Sequence, residues 1–127
     1  MSDPSEVSCV HPADRRIADP TPGKAREQAI AVDGLWSGLV RTEPGVTSGW
    51  HHHGEYDTAA YIIEGAVRIE FGPGGGQAID GGPGDFIHIP KHVVHREINR
   101  GSVPSVEVIT RSGTGAPTVN VDGPAPA

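Results

Sequence analysis

The sequence predicts an all-β fold, one barrel of short strands, on three observations. Glycine and proline are dense, at 18 and 12 of 127 residues, and they punctuate the chain without forming a repeat. Between them lie short runs that alternate apolar with polar residues or are rich in β-branched side chains, as strands joined by turns do. No apolar stripe at the i, i+3, i+4, i+7 spacing persists for three turns, so helix should be nearly absent. Roughly seven to nine strands are expected, the usual number for a sandwich or barrel with this turn density.

Residues 1–28 are polar and proline-rich and read as an N-terminal arm. Within the arm, "EVSCVHP" is a possible edge strand, added to the barrel's own sheet or to a neighbouring subunit's. The barrel itself is expected over 29–112. Its first strand is "LWSGLVRT", closed by the turn "EPG", and "TAAYIIEG" has the β-branched and aromatic content of a buried strand. "AVRIEFG" puts Val67, Ile69 and Phe71 on one face and Arg68 and Glu70 on the other, the period of a half-buried strand. "PGGGQ" is a hairpin loop and "AIDGGPGD" a short strand with its turn. "FIHIP" is a strand that stops where proline removes a ladder donor. "VHREINR" and "SVEVITR" are two more. The small, polar, proline-rich tail 113–127 is expected to be disordered.

Composition narrows function. A formal charge of -6 argues against a nucleic-acid partner, since phosphates favour basic surfaces. No run of about 18 apolar residues is present, so no membrane-spanning helix is expected. The polar opening "MSDPSEVSCV" lacks a secretory leader pattern, and a cytoplasmic location is the expectation. The single Cys9 excludes an internal disulfide and a cysteine-rich zinc site.

The chemistry concentrates in "GWHHHGEYD". His51 and His53 are two apart, so on an extended strand they share a face while His52 points the other way. Alone, that pair is a weak signal. It gains weight from "GDFIHIPKHVVHREIN", which places His95 on a different strand, where a third imidazole would complete a set with positions open for substrate or dioxygen. His88 shares a face with Phe86 and is expected to pack. Tyr61 is expected in the core, Tyr56 and Trp50 in the core or on a pocket wall. The glycine-rich "GPGGG" is not a phosphate loop, because no Lys-Ser/Thr and helix follow it.

These two stretches resemble the paired motifs of the cupins. Gly45, His51, His53 and Gly65 fill the places of the first motif, and Gly84, Pro90, His95 and Asn99 those of the second. The resemblance covers about residues 30 to 111. It implies a double-stranded β-helix, or jelly-roll barrel, with a divalent transition metal inside (Fe, Ni, Zn or Mn), and commonly a homodimer. Two positions depart from the pattern. His92 stands where a turn glycine is usual, and Thr58 stands where the family's metal-binding glutamate would be. Asp57 fits a shorter gap, but lies one residue out of phase, so that Thr58 and not Asp57 would point inward. The implied ligands are His51, His53 and His95, with or without Asp57. Three-histidine sites are known among cupin-like thiol and diketone-cleaving dioxygenases.

The expected function is a metal-binding cupin acting on a small organic molecule, foremost an Fe(II)-type dioxygenase. Thr58, Tyr56 and His92 are the candidates to orient substrate or move a proton. Two alternatives are a redox-neutral metal-dependent isomerase, cyclase or lyase, and a non-catalytic small-molecule-binding barrel. A homodimer is expected, its sheet edge covered by the arm.

Overall fold

Strands form wherever the turn residues leave room for them. The structure is a computed structural model that describes residues 5–18 and 20–127. The first four residues of the expected arm, and residue 19, lie outside the described residues. Among the described residues are eleven strands: β1 (Arg16–Ile17), β2 (Ala25–Val32), β3 (Leu35–Thr42), β4 (His51–His52), β5 (Asp57–Glu64) and β6 (Val67–Phe71), followed by β7 (Gln77–Gly81), β8 (Phe86–Ile89), β9 (His95–Ile98), β10 (Ser105–Ser112) and β11 (Val119–Asn120). Among the described residues, helix is confined to two single 3-10 turns, Pro12–Asp14 and Pro73–Gly75.

Two antiparallel sheets face each other. The first runs β1-β2-β3-β10-β5-β8 and the second β11-β4-β9-β6-β7, so neighbours in space are mostly distant in sequence. Asp33-Gly34 joins β2 to β3 as a two-residue hairpin turn, with Gly34 at φ +82°, where a side chain would be strained. Period-two alternation then sorts the faces. Trp36, Val40, Ala60, Ile62, Ile87 and Ile109 point inward from the first sheet to meet Val67 and Ile69 of the second. Ile62 is fully buried, and truncating it to alanine should cost roughly 2–5 kcal/mol. Gly65 is required where it stands: its φ is +84°, and a Cβ there would come within 2.6 Å of the Pro104 carbonyl oxygen.

Several expectations give way. The barrel sheet begins at Ala25, ahead of the expected boundary at 29, because Ala25–Val32 pairs with β3 along its length. "EVSCVHP" makes no strand. The short edge strand is instead Arg16–Ile17, which pairs with Gln28 and Glu27. The tail carries a strand, β11, that docks on the barrel. Val119 and Asn120 pair with His52 and His51 of β4, whose outer edge would otherwise be open, and the β-branched "TVNV" suits that role. Asn120 locks the segment by accepting a hydrogen bond from the Thr21 hydroxyl at 3.0 Å and donating to the Pro20 carbonyl at 3.0 Å. His88 and Tyr61 lie on the outer face, since Ile87, Ile89, Ala60 and Ile62 take the inward positions of β8 and β5. The Tyr61 ring packs against Phe86 at 4.8 Å on that surface.

Candidate metal centre

β4 and β9 lie side by side in the second sheet, with His51 directly opposite His95. His53 follows two residues after His51, and all three rings enter the barrel interior, 0–2% exposed. Ring centroids are 4.3 Å apart for His51–His95, 5.0 Å for His53–His95 and 5.2 Å for His51–His53. One ligand atom from each ring lies within 4.8 Å of the others, which suits three imidazoles around one ion.

The hydrogen bonds fix which nitrogen faces the centre. Each Nδ1 sits against a backbone carbonyl: Gly49 for His51 at 2.9 Å, Pro117 for His53 at 2.8 Å, and Val93 for His95 at 2.9 Å. A carbonyl can only accept, so each Nδ1 carries the proton and each Nε2 keeps its lone pair. The Nε2 atoms of His51 and His95 are buried without a partner among the described residues. Two orphaned acceptors in a packed interior are costly unless something satisfies them, and a divalent cation fits both their chemistry and their spacing.

Burial keeps the rings neutral. It holds His51 far below the usual imidazole range, aided by the charge of Lys24, and holds His53 there with help from Arg111. His95 is lowered to about 4 by burial, with the Val93 carbonyl pulling the other way. Near neutral pH no proton competes with a metal for these nitrogens.

Sequence reasoning missed the polar shell around the trio. Glu97 follows His95 on the inward face of β9. It accepts from Lys24 Nζ at 3.1 Å and from the Thr42 hydroxyl at 3.0 Å. Burial raises the carboxyl of Glu107 well above its ordinary range, with Glu97 adding to the effect. Lys24 and the hydrogen bonds to Glu97 outweigh burial there and keep Glu97 ionised. Arg111 is buried with its guanidinium 4.4 Å from the centre of the Trp36 ring, and it pairs in register with Thr58. Alternation in "HREIN" and "SVEVITR" carried the signal for Glu97, Glu107 and Arg111. Asn99 clamps a turn by donating to the carbonyls of Thr42 and Val103 and accepting from the Gly101 N–H.

The other candidate residues are placed as follows. Thr58 points inward, 1% exposed, with its hydroxyl unpartnered among the described residues. Asp57 points outward, where its carboxylate meets His88 Nε2 at 3.1 Å. The structure therefore does not bring Asp57 to the three histidines. His92 is exposed and meets Glu55 at 3.0 Å. Its φ is +64°, the left-handed conformation that a turn glycine would adopt freely. His52 is turned away from the trio, its Nδ1 accepting from the Gly54 N–H at 3.0 Å. Tyr56 is buried. Trp50 lies under the Arg96 guanidinium at 4.5 Å.

Solved structures share this architecture. The polyketide cyclase RemF from Streptomyces resistomycificus matches with a TM-score of 0.73 at 21% identity, over 91% of this chain and 86% of its own. KdgF from Halomonas sp. matches with a TM-score of 0.68 at 22% identity, over 85% and 96%. An oxalate decarboxylase from Bacillus subtilis gives 0.72 at 22% identity, over 86% of this chain but 30% of its own. At such identities the likeness is one of fold. No curated protein matches the sequence. The model of the cupin domain matches residues 38–110, which run from within β3 to within β10 and include the histidine pair and the strand that carries His95. With that match over more than half its length and the two-sheet barrel around the trio, the chain belongs to the cupin family.

Proposed function

We propose that this cupin is a metal-dependent enzyme acting on a small organic molecule, with His51, His53 and His95 as the ligands and dioxygen chemistry as the first reading. The observation that carries it is the pair of buried, unpartnered Nε2 atoms, on His51 and His95, set among rings held neutral. A divalent ion held there would supply a Lewis acid or, as iron, a centre for dioxygen. The chain's own part is to hold three nitrogens in place through the carbonyls of Gly49, Val93 and Pro117, and to exclude bulk water. Thr58, inward and unpartnered, is the group we assign to orient substrate.

A second reading is redox-neutral isomerisation, cyclisation or lysis. It is favoured by the outward turn of Asp57 and the inward Thr58, because a three-imidazole set suits zinc as well as iron, whereas the common non-haem iron set includes a carboxylate. The test is oxygen consumption by the iron-loaded protein against thiols, diketones and phenols. Substrate-dependent uptake is expected. Turnover without uptake would replace the first reading with the second, and saturable binding without turnover would make this a binding barrel.

We also propose a homodimer. Beyond Gln28 the outer edge of β2 has no strand beside it among the described residues. A groove of about 990 Å³ separates Ile30, Ala31 and Val32 from the arm around Ser8–Val10. Such an edge invites a strand from a partner. Removing residues 1–15 should lower the melting temperature and halve the solution mass, and an unchanged dimer mass would refute the arrangement.

A further inference from the structure

The seam between the two sheets bears on what the centre acts upon. β8 ends the first sheet and β7 ends the second, and the two strands do not pair. Between them is a cavity of about 160 Å³, walled by Ile69, Phe71, Ile79, Ile87, Ile89 and Val93. It runs to His95, which lies opposite Phe71 across β9 and β6. His88 stands at the exposed rim, engaged with Asp57. Among the described residues, no acidic side chain, lysine or arginine lines the slot. One wall is tight because Gly81 lets β7 approach the core. A Cβ there would lie 2.9 Å from Ile62 Cδ1 and 3.4 Å from Ile87 Cδ1.

Size and polarity both select. Pockets for drug-sized ligands usually measure about 300–1,000 Å³, whereas an apolar cavity of about 150 Å³ accommodates benzene. A carboxylate crossing these walls would give up its hydration before it reached the metal centre, the nearest counter-charge. At the inner end the situation reverses, because the slot reaches His95, one of the three imidazoles that would hold the ion, and a polar group there would lie beside the metal centre.

We propose that the slot admits a small uncharged molecule whose apolar body is about the size of one six-membered ring, and whose phenol or enol hydroxyl is directed at the three-histidine centre beside His95. This deepens the metal-centre reading and rests on it. The experiment uses the zinc-loaded full chain with carbon-13 labels on the isoleucine methyl groups, titrated with p-cresol and separately with oxalate. Saturable shifts of the Ile69, Ile79, Ile87 and Ile89 methyls with p-cresol, and none with oxalate, are expected. Ile89→Phe should weaken p-cresol binding about ten-fold or more with zinc content unchanged. Ile79→Trp, at the half-exposed mouth, should do the same and keeps the test decisive if the first variant fails to fold. Zinc uptake with oxalate binding and no p-cresol binding would overturn the substrate class and leave the metal centre standing. Saturable p-cresol binding to a chain that takes up no zinc would uphold the slot and defeat the metal reading. Unchanged p-cresol affinity in a folded Ile79→Trp protein would remove the ligand from the slot.

Discussion

The phase of β5 decides how the ligand set is composed. Side chains alternate along a strand, so Thr58 and Asp57 cannot both face the barrel interior, and Thr58, Ala60 and Ile62 take the inward positions. That much could be read from the sequence, since the apolar residues of "TAAYIIEG" and the preceding turn set the phase. The partner of Asp57 could not be read, because His88 comes from β8 and meets it only through the register Ala59↔His88. His92 shows the same limit. The sequence indicated an unusual residue at a turn, while the exposed ring and its contact with Glu55 depend on how the turn is aimed. His92→Gly should change stability by less than about 1 kcal/mol, since relief of left-handed strain is offset by the freedom glycine gains in the unfolded chain. It should also leave metal content unchanged. Paired denaturant titration and metal analysis would show whether this exposed histidine matters to the centre.

The least legible element in the sequence is the C-terminal segment. Its composition suggested disorder, yet β11 closes the edge of β4 and the Pro117 carbonyl orients His53. Proline and glycine content reports on local stiffness, whereas the order here comes from an edge strand that offers unpaired backbone groups to any β-competent segment. The barrel strands themselves were legible because each carries its own alternation. The arm was misplaced because a two-residue strand such as Arg16–Ile17 leaves no periodic signal. Ending the chain after Ala116 would remove β11 and the carbonyl partner of His53. Loss of an outer-shell partner typically lowers metal affinity by about 10–100-fold, and a loss in that range is expected, measured by competition with a chromogenic chelator. An unchanged affinity would mean that the tail does not support the centre.

At the scale of the molecule, the barrel interior is divided. Ile62, Ile69, Ile87 and Ile109 form an apolar part, while Arg26, Glu97, Glu107 and the three histidines, with the ammonium end of Lys24, form a buried polar one. That division makes the metal-free protein sensitive to acid. The folded state holds His51 and His53 neutral far into acid and His95 neutral down to about 4, whereas the unfolded chain protonates them below about 6.5. The unfolded state then binds more protons, so stability falls as pH drops through that window. Glu107, kept protonated by burial, acts in the opposite sense with a single proton, and the three rings outweigh it. The melting temperature of the metal-free protein should therefore be lower at pH 5 than at pH 7, and equal values would show that the trio is not buried neutral.

The account as a whole turns on metal content per chain, measured by elemental analysis of the purified protein and of single substitutions. His51→Ala, His53→Ala and His95→Ala should each lose most of the bound metal, because two imidazoles remain where three converged. His52→Ala and Asp57→Asn should keep it, since both side chains point away from the trio. Metal retained after both His51→Ala and His95→Ala would contradict the three-histidine centre, as would its loss on Asp57→Asn alone.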